Sequence, residues 1–168
     1  MSDFTHAPDI AAPDPLFDLA PVALALEDFS EIFILLQSWR AAGVVDIEAY
    51  LAQRPEGINE YFSRIKVLKV NQRMLDLYGA KDFQALLAAG DALFDSDTLT
   101  AIAEIARLWN GATSYQFETI NYTIDRLSLD IRLNVNRLAD VARPWDRMLM
   151  AMEDFTAQKR AETAAATN

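Results

Sequence analysis

The chain contains no cysteine and only one histidine, and these two absences exclude several kinds of chemistry. Without cysteine there is no disulfide, no thiolate nucleophile and no cysteine-ligated metal, a composition that fits a reducing compartment. The histidine, His6, stands in the proline-rich opening segment rather than among the apolar runs. We therefore expect no Ser-His dyad, no histidine-bound metal and no haem axial ligand in the folded part.

Long apolar runs and glycine-rich loops are also missing. No run approaches the roughly 20 apolar residues that a membrane span needs, and the chain starts with acidic residues and prolines instead of a basic segment followed by an apolar one. The five glycines are scattered, so there is no phosphate-binding loop. These absences predict a cytoplasmic protein that is not an enzyme and does not bind membranes. A small-molecule enzyme is the least favoured alternative.

Positive charge is scarce in the first part of the chain. Residues 1–62 carry eleven acidic and two basic side chains, whereas residues 63–168 carry fourteen and thirteen, and together they give the formal net charge of −10. A polyanion would be repelled by the first part and only weakly attracted by the second. We therefore expect no nucleic-acid binding.

Apolar residues are abundant, at 52% of 168, which is enough for one domain with its own core. Residues 1–19 contain three prolines among small and acidic residues and predict a flexible lead-in, within which "LFDL" favours a short docking helix. The run "PVALALED", residues 21–28, has the length of a buried strand. The folded part is thus expected to begin near residue 20.

Three helices are predicted between residues 29 and 65, where the acidic excess lies. Asp28 and Glu31 have the spacing of an N-cap and capping box at the start of the first helix. We interpret the charged side of this block as a solvated outer face over a buried apolar one. We also expect either the acidic lead-in or the apolar face around Phe29, Phe33 and Trp39 to take part in dimerisation.

The segment that follows is predicted to contain a strand and two capped helices. "KVLKVN", residues 66–71, predicts a strand, and Asn71 can cap the helix "QRMLDLYG". Further on, Ser96 or Asp97 can cap a longer helix. Capping is also the favoured role of the acidic stretch "DALFDSD", because Asp91, Asp95 and Asp97 lack the spacing of a calcium loop.

Two alternating runs, "SYQFETINYTI" and "LSLDIRLNVN", predict a hairpin around Asp125-Arg126. A two-residue loop would pair Ile124 with Leu127 and turn Ile120 and Tyr122 inward, whereas one more loop residue would instead turn Tyr115, Phe117 and Thr119 inward. We prefer the two-residue loop. A final strand, residues 147–152, completes an α+β fold with a five-stranded antiparallel sheet and helices on one side.

Two motifs stand in this order. "VLKVNQRMLDLYGA" has an Asn at the strand end and a Tyr-Gly pair at the helix end, here Asn71, Tyr78 and Gly79. "MAMEDFTAQKRAE" has Asp154, Phe155 and Thr156 followed by a charged helix. With the element order, these motifs resemble the PAS domain, the sensory module of bacterial signalling proteins such as sensor histidine kinases and diguanylate cyclases. Two departures are the helical insertion at 29–65 between the first two strands and the absence of an Asp-Gly turn in the hairpin.

The resemblance implies a PAS-like domain over residues 20–154 and a C-terminal linker helix over 155–168. It implies a sensory module that binds a small ligand or dimerises and passes the change through the terminal helix, where Asp154 and Thr156 would cap that helix. The alternative is a ligand-free dimerisation scaffold. The residues expected to line a pocket are Tyr78, Phe94, Trp109, Ile120, Tyr122, Leu129, Ile131 and Met150.

The resemblance leaves the ligand open. A flavin-cysteine adduct is excluded because the chain has no cysteine, and haem is not expected because the folded part has no histidine. A metabolite, a fatty acid or no ligand remain alternatives. The expected partners are a second copy of the chain and an output domain such as a histidine kinase or diguanylate cyclase, either in a longer protein or on a separate chain.

Overall fold

The structure, a computed structural model, describes residues 10–94 and 97–167; His6, Asp95 and Ser96 lie outside this part. Five strands form one antiparallel sheet in the spatial order β2-β1-β5-β4-β3. The predicted α+β fold is confirmed. The strands are β1 Ala23–Asp28, β2 Lys66–Val70, β3 Ser114–Tyr122, β4 Ser128–Arg137 and β5 Met148–Asp154.

The helices pack on one side of this sheet, and three of them form the predicted insertion between β1 and β2. The described α-helices are α1 Pro15–Asp18, α2 Ser30–Ala41, α3 Ile47–Gln53, α4 Glu56–Ser63, α5 Gln72–Tyr78, α6 Phe83–Ala89, α7 Thr98–Trp109 and α8 Thr156–Ala166. The longest two, α2 and α7, each bury one apolar face in the core.

The core lies between the inner face of the sheet and these helices. Alternation along β5 buries Met148, Met150 and Met152 on that face, while the residues between them point outward. Ile131 and Val135 of the neighbouring strand β4 are fully buried beside them. The central position of β5 in the sheet places this last strand at the middle of the core.

The preferred hairpin register is wrong by one residue. Thr119 lies opposite Ile131, and the Thr123 amide donates to the Leu127 carbonyl, so the loop has three residues, 124–126. Arg126 takes the left-handed conformation, at φ 67°, that ends such a loop. Residues with a side chain, Arg among them, adopt this conformation less readily than glycine. The Arg126 guanidinium lies over the Tyr122 ring, 4.7 Å from the centroid, and this contact helps to hold the residue there.

The register places the alternative set of residues inward. Tyr115, Phe117 and Thr119 face the helices, and Ile120 and Tyr122 lie on the outer face of β3. Two contacts favour this register. Asn121 shares the inward face and forms a buried hydrogen bond there, whereas Glu118 on the outward face pairs with Arg132 of β4. Four side chains of β3 therefore face inward: Tyr115, Phe117, Thr119 and Asn121.

The start of α2 also differs from the predicted capping box. Phe29 is the N-cap residue and provides no side-chain bond, while Asp28 accepts the Ser30 amide at 2.8 Å. The second oxygen of Asp28 accepts from Arg143 in the β4–β5 loop, also at 2.8 Å. Glu31 contacts Arg143 at 3.8 Å instead of capping the helix. Asp28 therefore ties the insertion to the loop before β5.

Two of the three aromatic residues expected on a dimer face of α2 are buried within the chain. Phe29 is fully buried and Trp39 is 7% exposed, so both belong to the core of the protomer. Phe33 is half-buried and packs edge-on against Trp145, with ring centroids 5.2 Å apart. The α2 face is thus used within the chain, by the β4–β5 loop.

Candidate functional site

Four of the residues predicted to line a pocket lie together on the inner side of the sheet. Tyr78 and Ile131 have no exposed surface, Met150 is 3% exposed, and Leu129 packs against the same cluster while partly exposed. Tyr78 reaches this cluster from the end of α5, where Gly79 with φ 70° stops the helix. The structure brings these four residues together as core.

Of the other four predicted residues, Trp109 is also buried in the core, and the remaining three lie at the edge or on the outer face of the sheet. Ile120, 47% exposed, and Tyr122 are on the outer face of the sheet, and Phe94 is 45% exposed at the edge, where its ring contacts Tyr78 at 5.6 Å. Trp109 ends α7 with its ring beneath the guanidinium of Arg40, 4.2 Å from the centroid.

An open groove of about 540 Å³ runs along the outside of α7 and involves none of those eight residues. Its lining includes Glu48 of α3 and Ala103, Arg107 and Asn110 of α7. The groove is open to solvent.

The Tyr78 hydroxyl is the centre of a short polar chain in the core. It accepts from the Asn121 side-chain amide at 2.7 Å and donates to the Met152 sulfur at 3.0 Å. Burial raises the pKa of Tyr78, and the bond from Asn121 opposes the rise. Tyr78 therefore remains a neutral phenol that links α5 to β3 and β5.

A second polar group, missed at the level of sequence, is buried between the sheet and the helices. Glu27 comes from the inner face of β1, Tyr61 from α4, Glu104 from α7 and Tyr115 from β3. We call these four residues the acidic cluster. Glu104 is 6% exposed and Tyr61 has no exposed surface, whereas Glu27 and Tyr115 are half-buried.

The carboxyl groups of the acidic cluster favour the neutral form. Burial raises the pKa of Glu104 to about 8; the charge of Glu27 adds to the rise, and Arg107 opposes it. Burial likewise raises the pKa of Glu27 to about 7. The pKa values of the Tyr61 and Tyr115 phenols are also raised, first by burial and then by the nearby negative charges. Both carboxyls thus change charge near neutral pH.

The two phenols of the acidic cluster lie close to each other but form no hydrogen bond of good geometry among the described residues. The hydroxyls of Tyr61 and Tyr115 are both buried and lie near each other and near the carboxyls, but neither forms a bond that satisfies its geometry. Such groups are costly to leave unpaired. The sequence carried a signal, because Glu104 interrupts the apolar stripe of α7 and Glu27 continues the inward alternation of Ala23 and Ala25.

The junction between β5 and α8 is bonded to β4. Asp154 accepts from the Thr156 amide at 2.9 Å and from its hydroxyl at 2.5 Å, and the Thr156 oxygen accepts from the Asp130 amide at 2.8 Å. The Phe155 amide donates to the Asp130 carbonyl at 3.0 Å, and Lys159 reaches the Asp130 carboxylate at 2.6 Å. The first turn of α8 is thus fixed to the strand beside β5.

Of the two residues expected to cap α8, only Asp154 bonds to a backbone amide of the helix. The N-cap position belongs to Phe155, which offers no side-chain bond. Asp154 accepts the amide of the first helical residue, while the Thr156 hydroxyl bonds to β4 instead of to its own helix. Beyond Thr156, the described residues of α8 are exposed to solvent.

Asn71 forms the matching junction between β2 and α5. Its side-chain oxygen accepts from the amides of Met74 and Leu24, and its amide nitrogen donates to the carbonyls of Phe17 and Val22. The predicted cap is confirmed, and the bond to Phe17 shows that α1 docks on the domain. Asp97 caps α7 by accepting from the Thr100 amide at 2.9 Å.

The part of the chain that the structure describes has neither a metal-binding cluster nor a membrane-spanning helix. No group of three or more acidic or histidine side chains there is arranged to hold a metal ion. No helix within residues 10–94 and 97–167 is long and apolar enough to cross a membrane.

The sheet order, the helices on its inner face and the helix that follows the last strand define a PAS-type fold. The chain is similar to the crystal structure of the LOV protein of Rhodobacter sphaeroides, with a TM-score of 0.52 and 19% identity, over 90% of this chain and 69% of that chain. A variant of RsLOV gives a TM-score of 0.55 with 18% identity, over 90% of this chain and 70% of that chain. The predicted PAS-like fold is confirmed. No protein-family model and no curated protein sequence matches the chain.

Proposed function

We propose that the chain is a sensory or regulatory module of signal transduction, in which a change in the core alters the position or stability of α8. The observation that supports this most directly is the bonding of the β5–α8 junction to β4. Met152, in the core, and Asp154, at the junction, are two residues apart on the same strand face. A displacement of β5 therefore acts on the first turn of α8.

The Tyr78 hydroxyl links the helical layer to that strand. It donates to Met152, and Asp154 lies near enough for its charge to raise the pKa of Tyr78 as well. A rearrangement on the inner side of the sheet, whether caused by a small ligand or by dimerisation, would thus reach the junction through few contacts.

The partners follow from the exposed terminal helix. Because α8 is solvent-exposed beyond its first residue, it is available to a second copy of the chain or to an output domain such as a histidine kinase or diguanylate cyclase. That output would lie in a longer protein or on a separate chain. A ligand-free dimerisation scaffold is the alternative, and it is supported by the side chains of Met148, Met150 and Met152 that occupy the inner face of β5.

Amide hydrogen exchange tests the transmission. In Tyr78→Phe, which removes the hydroxyl bonds to Met152 and Asn121, we expect faster exchange in residues 157–162. The matched control is Tyr122→Phe on the outer face of the sheet. Because the end of a surface helix exchanges by local opening rather than global unfolding, a change there reports coupling. Equal exchange of α8 in the wild type and Tyr78→Phe would contradict a transmitting role and favour the scaffold.

A further inference from the structure

The β4–β5 loop, residues 138–147, holds a tryptophan in a backbone conformation that its side chain disfavours. Trp145 has φ 63°, in the left-handed region, shortly before Met148, the first residue of β5. A bulky residue stays in this region only when the structure around it holds it there, and such residues cluster at clamps and switches. The contacts that hold Trp145 therefore show what the conformation of this loop depends on.

Two carboxylates of the loop fix its shape from within. Asp140 accepts from the Trp145 amide at 2.9 Å. Asp146, 2% exposed, accepts from the backbone amides of residues 141–143 at 2.7 to 3.0 Å. Because these bonds close the loop on itself, we expect residues 140–146 to move together.

The start of the helical insertion holds the same tryptophan from outside the loop. The Trp145 carbonyl accepts from the Phe29 amide at 2.8 Å, at the N-cap position of α2. The Trp145 ring packs edge-on against Phe33 of α2, and Arg143 of the loop bonds to Asp28 at 2.8 Å. Asp28 is 6% exposed, so little water can replace the guanidinium. The left-handed conformation of Trp145 thus depends on where α2 lies.

We propose that these contacts form a latch through which the helical insertion, residues 29–65, controls β5 and with it α8. While α2 is docked, the latch keeps Trp145 in the left-handed region. When α2 shifts, Trp145 returns to an ordinary backbone conformation, and the chain enters β5 in a different direction. The inference rests on the proposed function, since it makes the insertion the element that alters the β5–α8 junction.

The route from the latch to α8 lies along one strand. Met148 pairs with Glu27 of β1 and Arg137 of β4. A different direction of entry disturbs this pairing at the start of β5, and the seven residues of that strand end at Asp154 in the junction with α8. Because β5 is central in the sheet, it cannot shift without changing its bonds to both neighbours. The latch therefore connects the insertion directly to the middle strand.

The ion pair of Arg143 is the part of the latch that can be removed while the core stays intact. The Arg143 side chain is 53% exposed, and it contacts Glu31 at 3.8 Å as well as Asp28. Arg143→Gln keeps a polar side chain there and removes the charge, whereas the ring contact between Phe33 and Trp145 stays in place. The variant should therefore weaken the latch without unfolding the chain.

Amide hydrogen exchange of the full chain tests the latch, because the Phe29 amide bonds directly across it to Trp145. In Arg143→Gln we expect about fivefold faster exchange at Phe29 and about threefold faster exchange in residues 157–162. The matched control, Arg137→Gln at the exposed end of β4, should leave both unchanged. Exchange in α6, which opens locally and independently, should stay at the wild-type rate in every sample.

Asp28→Asn gives an independent measure, since it removes the partner's charge and keeps an oxygen for the Ser30 amide. If Asp28 and Arg143 act through one contact, the double variant should exchange no faster at Phe29 than the faster single variant. Fully additive effects of the two changes would overturn the latch. So would wild-type exchange at Phe29 in both single variants, wild-type exchange in residues 157–162 despite faster exchange at Phe29, or an equal increase in α6.

Tyr78→Phe separates the latch from the proposed function. If Arg143→Gln leaves α8 unchanged while Tyr78→Phe speeds its exchange, the module is supported and the latch is overturned. If Arg143→Gln speeds exchange at Phe29 and in α8 while Tyr78→Phe has no effect, the latch is supported and transmission through Tyr78 is contradicted. No effect of either variant on α8 would contradict both.

Discussion

The two strand-to-helix junctions of this fold use the same kind of side-chain bond at different depths. At the β2–α5 junction, Asn71 is 2% exposed, and its amide forms four hydrogen bonds to backbone groups of the surrounding segments. At the β5–α8 junction, Thr156 is 9% exposed and Asp154 is exposed, and they bond chiefly to each other and to Asp130.

This difference in depth separates a structural junction from an adjustable one. Bonds shielded from water are expensive to break, because each unpaired group loses its solvation as well as its partner. At the outer junction, water can replace a lost partner. The bonds of Asn71 therefore fix α5 in the core. The bonds of Asp154 and Thr156 hold α8 in a way that a modest change in the sheet can alter.

Asn71→Ala should show the largest effect of any change at either junction. We expect the free energy of unfolding to fall by about 4 kcal/mol, since four hydrogen bonds worth roughly 1 kcal/mol each are lost. Urea denaturation followed by circular dichroism measures it. The control is Asn59→Ala, an exposed residue of α4. A loss as small as that of the control would remove the contrast between the two junctions.

The free energy of unfolding should also depend on pH, with a smaller change that comes from Glu27 and Glu104 in the core. The pKa values of Glu27 and Glu104 are raised in the folded state to about 7 and about 8, so the folded chain holds more protons than the unfolded chain above about pH 4.5. The stability that these two groups contribute is therefore complete below that pH, falls as the pH rises above it, and is lost once the pH passes about 7 for Glu27 and about 8 for Glu104. For Glu104, we expect a loss on the order of 2 kcal/mol between pH 6 and pH 9.

Urea denaturation at pH 6, 7.5 and 9 checks this slope. Glu104→Gln should be the more stable protein at pH 9 and should show a shallower dependence, because it has no carboxyl to ionise in the core. Asp154→Asn, at the exposed junction, should leave the slope unchanged. Stability that rises from pH 6 to pH 9 would contradict the direction of both pKa shifts.

The inner junction could be predicted from sequence because its signals are local. Asn71 follows an alternating strand and precedes a helix that ends in Tyr78-Gly79, and each of these features depends only on near neighbours. The five strands and the helical insertion followed from periodicity in the same way. Their assembly into one antiparallel sheet agreed with the resemblance to a known fold.

The hairpin register and the pocket residues that depended on it could not be predicted in that way. Whether Ile120 or Thr119 faces inward depends on one loop residue, and the choice is made by contacts between distant elements, such as Asn121 with Tyr78. In an isolated turn, a positive φ at Arg126 would be disfavoured. The contact of its guanidinium with Tyr122, and its bond to the Ala92 carbonyl at 2.5 Å, override that preference.

Thr156→Val should have a still smaller and more local effect. Valine keeps the shape of threonine but lacks the hydroxyl that donates to Asp154 and accepts from the Asp130 amide. We expect amide exchange in the first turns of α8 to become about fivefold faster, which corresponds to about 1 kcal/mol. The core should exchange as before. Thr163→Val, which loses only a bond to the Lys159 carbonyl on the exposed helix, is the control. Equal effects of the two variants would mean that the junction has no special role.

Lys159→Met should produce the smallest effect on amide exchange in α8. It tests whether the β5–α8 junction extends as far as Lys159. Lys159 bonds to the Asp130 carboxylate at 2.6 Å, and this bond raises its pKa, but half of the side chain remains in solvent. Water and salt screen such a pair, so exchange in α8 should increase by less than about twofold at physiological salt. At low salt the difference from the wild type should widen, because the screening is weaker. A salt-independent effect as large as that of Thr156→Val would show that Lys159 belongs to the adjustable junction, together with Asp154 and Thr156.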